Sequence, residues 1–264
     1  MSTNSSLTPT SSRTPSQPVD LMLIVPHPDD EVFSCGGVFT KMADAGKRVA
    51  TVTLTRGGAG RTLGICPQAE LPNVREAELR ASLDVLGVRD VHIFDYPDFV
   101  PAADRGMATN KGLAGEREEE VVPRLVSLLE THKPRALITF PPNGANGHPD
   151  HVVTNHLVLK ALEDAAHEVE SLYYFAAEKP YAGAAREGFL SPDEIRMSHL
   201  PPTHYFDASP FVENKLRAMG QHETQARSVL TFMRSFPRRL LVESFHRAKP
   251  EYPEGEGPRT VAWL

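Results

Sequence analysis

The chain is poor in the features that mark secreted, membrane-spanning or nucleic-acid-coating proteins. It has only two cysteines in 264 residues, Cys35 and Cys66. Two cannot build a disulfide framework, so a reducing cytoplasm is the expected compartment. No apolar run approaches the roughly 18 residues of a membrane helix, and no basic-then-apolar leader opens the sequence, so no membrane partner is expected. Positive charge is in deficit: 28 Lys and Arg stand against 34 Asp and Glu, a formal net charge of −6. That balance argues against a nucleic-acid partner. No Gly-x-Ser-x-Gly nucleophile elbow occurs, and no internal repeat. Gly58-Ala59-Gly60 with Gly64 lacks the spacing of a dinucleotide fingerprint and reads as a flexible substrate loop.

What remains is ordinary globular composition, 40% hydrophobic and 23% charged, with two unusual counts: 23 prolines and 11 histidines. The first 20 residues hold 6 Ser, 4 Thr and 3 Pro and almost nothing apolar. Such a segment cannot bury enough surface to offset its ordering entropy, so residues 1–19 read as a disordered tail. The folded domain is expected over residues 20–249, with a loop-rich extension from about residue 180, and residues 250–264 read as an irregular arm.

Within the domain, short apolar runs alternate with helical patterns. Leu21 to Val25, Val49 to Leu54, Val91 to Phe94, Ala136 to Phe140 and Leu172 to Phe175 read as strands. Helices are expected from about Val32 to Gly46, Val74 to Leu86, Glu118 to His132 and Val152 to Ala166, then Phe211 to Met219, with a late strand from Leu240 to Phe245. Four rounds of strand then helix predict an α/β fold: a doubly wound, Rossmann-like, mostly parallel sheet with helices on both faces.

In such sheets ligands bind beyond the carboxyl ends of the strands. The first strand runs into Pro26-His27-Pro28-Asp29-Asp30-Glu31, the fourth into a loop ending His148-Pro149-Asp150-His151. Each cluster sets potential ligands three residues apart at a helix entry, where they share one face. One such cluster could be a plain turn with acids at a helix N-terminus. Two, both at strand ends, point to a metal site. Nitrogen and oxygen donors of this kind suit Zn2+ or Fe2+, and are too nitrogen-rich for calcium. Hydrolysis at a metal also needs a base and a donor or cation for the oxyanion, roles open to the spare carboxylate and histidine.

These paired clusters, with Gly36-Gly37, resemble the signatures of the LmbE/PIG-L-like zinc N-deacetylases, and the likeness extends from about Leu21 to Phe175. Gly60-Arg61-Thr62 with Leu71-Pro72-Asn73-Val74-Arg75 is most similar to the deacetylases of bacillithiol synthesis. By position, the resemblance implies His27, Asp30 and His151 as metal ligands and Asp29 as general base. It implies His148 as a charged partner that stabilises the oxyanion and protonates the leaving amine. It makes Arg75 a substrate contact, and the reaction deacetylation of an N-acetylglucosaminyl compound, N-acetylglucosaminyl malate being the expected substrate. It also implies a homo-oligomer. Asp98, after the third strand, is a candidate for sugar hydroxyls, and His222 for a substrate contact in the C-terminal part. Two departures stand out: Gly58 occupies a position where the family carries an acid, and the C-terminal third matches only through Lys215 and His222-Glu223-Thr224-Gln225. Cys35 is expected to be a small buried residue, and the remaining histidines surface or core groups. The alternatives are the same hydrolysis on another N-acetyl sugar conjugate, or a non-catalytic sugar- or nucleotide-binding α/β module.

Overall fold

The computed structural model describes residues 18–101, 107–181 and 183–260. Apart from its last two residues, the N-terminal tail lies outside them, as do residues 261–264 of the C-terminal arm. Leu21–Val25 (β1), Asp30–Asp44 (α1), Val49–Thr55 (β2), Leu71–Val85 (α2) and Asp90–Tyr96 (β3) form the first half. A small hairpin, Phe99–Val100 (β4) with Asn110–Lys111 (β5), precedes Glu118–His132 (α3), Ala136–Thr139 (β6), the short turn Gly144–Gly147 (α4), Pro149–Asp164 (α5) and Ser171–Phe175 (β7). The C-terminal part adds Pro192–Met197 (α6), His204–Asp207 (β8), Val212–Met219 (α7), Ala226–Ser235 (α8), Val242–Lys249 (β9) and Arg259–Thr260 (β10).

Eight strands form one sheet in the order β10-β8-β9-β7-β6-β1-β2-β3. The five from β3 to β7 are parallel, while β9 runs antiparallel to both β7 and β8. β1 is buried at all five positions: Leu21, Leu23 and Val25 face one apolar cluster, Met22 and Ile24 the other. A strand covered by helices on both faces must be apolar throughout, which is why it has no alternation. After β1 the chain winds outward through β2 and β3, and after β6 it winds the other way through β7. The strands that flank this reversal, β1 and β6, open a crevice at their carboxyl ends.

The C-terminal part is integral to the sheet. β8 and β10 had no apolar pattern to announce them, and β10 falls in the arm expected to be irregular: Arg259 and Thr260 pair with His204 and Tyr205. The late strand starts two residues later than its apolar run suggests, because Leu240 and Leu241 close a 3-10 turn. Gly36 and Gly37 explain the close docking of this part on α1. A Cβ on Gly37 would lie 2.5 Å from the Ala208 side chain, and one on Gly36 2.8 Å from Lys215. Among the described residues no helix is long and apolar enough to cross a membrane.

Candidate metal centre and its cleft

Two loops meet at the crevice between β1 and β6. Residues 26–29 carry the chain from β1 into α1, and residues 140–148 carry it from β6 into α5. Pro149 occupies the first turn of α5, where its missing N–H costs nothing, and His148 caps that helix by accepting the Asp150 N–H on Nδ1 at 3.2 Å.

The loops bring His27, Asp30 and His151 together, one ligand atom from each lying within 4.8 Å of the others. His27 Nδ1 is 3.5 Å from Asp30 Oδ2 and 3.3 Å from His151 Nε2, which is 3.7 Å from Asp30 Oδ1. Each imidazole has its far nitrogen engaged. His27 Nε2 donates to Asp150 Oδ2 at 3.2 Å, and His151 Nδ1 to the Gly144 carbonyl at 3.1 Å. With those nitrogens protonated, the lone pairs of His27 Nδ1 and His151 Nε2 face Asp30, the tautomer pattern of metal-ligating histidines. Two such nitrogens and a carboxylate fit a divalent cation of the zinc or ferrous type. Burial, reinforced by the neighbouring His148 and His27, pushes the His151 pKa well below its ordinary value, which keeps a ligand lone pair free. At His27 burial is outweighed by hydrogen bonds to Asp150 and Asp30, which raise its pKa. Cation binding there releases a proton.

Two other groupings are less suited. His27, His148 and Asp150 lie close, but Asp150 already accepts the N–H of Phe99 at 2.9 Å and of Leu113 at 2.8 Å. Asp90, His92 and His132 gather at the far end of the sheet, where Arg48 sits 3.6 Å from Asp90. Cys35 is fully buried on α1 and belongs to none of them.

Asp29 sits beside the ligand group with φ 111°, a left-handed backbone that a residue with a side chain adopts only under constraint. Its N–H donates to Glu31 Oε2 at 2.9 Å, and its carboxylate lies 3.4 Å from Arg75 Nη2. Burial raises the Asp29 pKa to about 7; Arg75 works against this and Asp30 adds to it. A carboxyl poised there can take up or give up a proton near neutrality.

Four expected site residues have surroundings that bear on their roles. His148 was expected as a charged partner; burial and the adjacent His27 lower its pKa to about 3, away from the charged form. With Nδ1 accepting the Asp150 N–H, the ring presents Nε2–H as a neutral donor. Arg75 is turned toward the protein. It is 4% exposed, donates to the carbonyls of Gly57 and Pro28, and braces Asp29. Gly57, at φ +67°, leaves room for it; a Cβ there would lie 2.2 Å from the guanidinium. His222 does not open into the cleft either. It is 1% exposed and its Nε2 donates to Glu31 Oε1 at 2.8 Å. Burial disfavours both charges of this pair, but their contact prevails, lowering the Glu31 pKa and raising that of His222. The Asp98 carboxylate does not line the cleft either. Oδ2 accepts the Ala59 N–H at 2.8 Å, while Oδ1 is buried with no protein partner.

Sequence reasoning assigned no role to Asp150, which orients His27, or to Glu31, whose carboxylate gathers Asp29, Ser82 and His222. Both stand inside the quoted motifs, so position pointed to them, but their partners are distant in sequence. Phe140 was read as a strand residue; it lies just past β6 and stacks on His151, ring centres 3.9 Å apart.

A cavity of about 570 Å³ opens onto Asp30 and His151. Phe33, Phe140, Phe175, Tyr181 and Phe232 give it a largely aromatic wall, suited to the faces of a sugar ring.

The model of the family described as PIG-L, GlcNAc-PI de-N-acetylase, matches residues 22–162. The 1D-myo-inositol 2-acetamido-2-deoxy-alpha-D-glucopyranoside deacetylase of Mycobacteroides abscessus is 34% identical over 231 residues, covering 78% of this chain and 81% of that protein. The same-named deacetylase of Kineococcus radiotolerans is 31% identical over 251 residues, covering 79% and 69%. Among solved structures, the N,N'-diacetylchitobiose deacetylase of Pyrococcus horikoshii superposes with a TM-score of 0.63 at 20% identity over 86% of this chain and 82% of that one. The 4-carboxy-2-hydroxymuconate hydratase of Pseudomonas putida KT2440 gives 0.67 at 16% identity over 92% and 100%. At such identities these two show the fold alone, and a hydratase among them shows that the fold does not dictate the chemistry.

Proposed function

Because this chain belongs to the PIG-L family of GlcNAc-PI de-N-acetylases, we propose that it hydrolyses the acetamide of an N-acetylglucosaminyl conjugate at the His27–Asp30–His151 centre. One observation carries the reading: lone pairs of two oriented imidazoles converge on a carboxylate, beside a second carboxylate whose pKa stands near 7.

A divalent cation held there, zinc or ferrous iron, supplies Lewis acidity toward the amide carbonyl and the attacking water. Asp29 takes the proton of that water as its oxygen bonds to the carbonyl carbon. The Nε2–H of His148 donates to the oxygen on which negative charge develops, a task open to an oriented neutral donor. Asp29, now protonated, returns the proton to the nitrogen as the C–N bond breaks, giving acetic acid and the amine, which leave as acetate and the protonated amine. Arg75 and the Glu31–His222 pair hold Asp29 in its strained turn.

The named relatives give no support to malate as the aglycone; the substrate in their names carries inositol instead. They support the glucosaminide half of the substrate. Acetate release from N-acetylglucosaminyl conjugates, lost on chelation and restored by Zn2+ or Fe2+, tests the reading. Protein that binds neither metal, or that binds one yet releases acetate from no N-acetylglucosaminide, overturns it.

A further inference from the structure

β3, the last strand on its side of the sheet, opens Asp90-Val91-His92, and α3 closes on His132. Alternate residues of a strand share a face, so the Asp90 and His92 side chains stand together. His132 reaches them from the helix end. This is the amino end of the strands, opposite the crevice that gathers His27, Asp30 and His151, so the group takes no part in the reaction there. Asp90 Oδ1 is 3.0 Å from His92 Nε2, and Oδ2 is 3.3 Å from His132 Nδ1. One ligand atom from each residue lies within 4.8 Å of the others. Donors at zinc's usual bond lengths stand about 3.3 Å apart around the ion, close to both Asp90 distances.

His132 supplies the second observation. It is 6% exposed, and its Nδ1 is buried with no hydrogen-bond partner among the described residues, Asp90 being near but making no hydrogen bond to it. A buried polar atom almost always has a partner in protein, water or ion. Burial lowers the His132 pKa against the pull of Asp90, which favours a ring with a lone pair to give. The carbonyl end of α3 adds negative potential at the same point. One group opposes a cation: Arg48 Nη2 lies 3.6 Å from Asp90 Oδ2, on a side chain exposed enough to swing aside into solvent.

We propose that Asp90, His92 and His132 form a second cation site, for a transition metal of the zinc type, which ties the end of α3 to the edge strand β3. Two imidazoles and one carboxylate select such a metal over calcium or magnesium, and three protein donors leave a further position to water. The site is weaker than the His27–Asp30–His151 centre. There each imidazole is oriented by a hydrogen bond on its far nitrogen; His92 and His132 have no such bond among the described residues. The proposal is independent of the deacetylase reading.

The test is titration of the metal-free full chain with Zn2+, read by competition with a chromophoric chelator. Wild type should take two equivalents, the second held about 10- to 100-fold more weakly. His92→Gln and Asp90→Asn should each remove the weaker equivalent alone; both side chains are 28% exposed, so neither change opens a void in the core. Asp30→Asn should lose the tighter equivalent and keep the weaker, so this protein reads the second site by itself, whatever chemistry the first performs. In it, Zn2+ at a hundredfold excess over Kd should raise Tm by about 5 °C or more, and adding His92→Gln should abolish the rise. Arg48→Gln, which removes the competing charge, should tighten the weaker equivalent alone. Equal zinc binding by Asp30→Asn with and without His92→Gln overturns the proposal. So does a weaker equivalent no tighter in Arg48→Gln, which would place the zinc away from Asp90.

Discussion

The guanidinium of Arg75 lies 3.4 Å from the carboxylate of Asp29, and both groups are almost wholly removed from solvent. Burial lifts the Asp29 pKa and Arg75 draws it down. Removing Arg75 therefore protonates Asp29 at higher pH. Arg75→Met should move the acidic limb of the kcat/KM profile to higher pH and slow turnover at neutrality, with metal content unchanged. Arg75→Lys should recover part of the loss, since the charge returns without the fork. A profile left in place by Arg75→Met would separate the two residues functionally.

Asp29 itself should be dispensable for the metal and indispensable for turnover. Asp29→Asn keeps the size and removes the base, so kcat should fall by about 10²- to 10⁴-fold, the usual worth of general base catalysis. Metal analysis of the purified variant should still find a full site. Loss of metal would mean that Asp29, and not only Asp30, is a ligand.

Asp150 acts one step further out, through His27 Nε2 at 3.2 Å. Removing such a partner commonly costs about 10- to 100-fold in metal affinity. Asp150→Asn should weaken binding by that order in competition with a chromophoric chelator, while the fold remains intact. An Asn affinity equal to wild type would show that the Asp150 charge does nothing for the centre.

The acid side of the stability profile should carry the mark of His204. Burial, then the nearby Arg247, Arg259 and His246, lower its pKa to about 4 from an ordinary 6.5. The unfolded chain takes up a proton near 6.5 that the folded chain refuses until about 4. Stability is therefore complete above 6.5 and drains away as the pH falls between these values. His204 lies between the rings of Tyr173 and Tyr252, so His204→Phe fits the same aromatic slot. Thermal unfolding of His204→Phe should lose less between pH 6.5 and 4 than wild type loses; identical slopes would exclude His204 as a source of the acid sensitivity.

The parallel core was legible because its signals are local. An unbroken apolar β1, periodic helices and a His/Asp cluster after β1 and after β6 place both clusters at one crevice; the choice of His27, Asp30 and His151 among them rests on the family resemblance. The signals failed where a residue's meaning is set by what it meets across the fold. Arg75 and His222 read as substrate contacts because polar groups near a site usually face the ligand; Asp29 and Glu31, buried behind the metal loop, turn them inward. The charge of His148 could not be read either, since it depends on burial and on His27. β10 was invisible because a two-residue sheet-edge strand needs no apolar run, and β8, four residues of mixed polar and aromatic character, is fixed by pairing with β9 and β10 on either side.

The C-terminal part is tied to the helix that carries Asp30 by a buried ion pair. Lys215 Nζ donates to Glu243 Oε1 at 2.6 Å, both side chains almost fully enclosed, and Glu243 accepts the N–H of Gly37 and Val38 in α1 at 2.8 and 2.9 Å. A buried charge stripped of its partner is far more costly than a buried pair replaced as a unit, with about 3–5 kcal/mol at stake. Lys215→Met should lower unfolding stability by that order in a denaturant titration, because Glu243 is left enclosed without its partner. Lys215→Met with Glu243→Gln should recover much of it, since the amide oxygen can still accept one α1 N–H without a charge to bury. If the double variant is as unstable as the single, the α1 contacts of Glu243 need its full charge, and the pair is a positioning device for α1 rather than a replaceable part of the core.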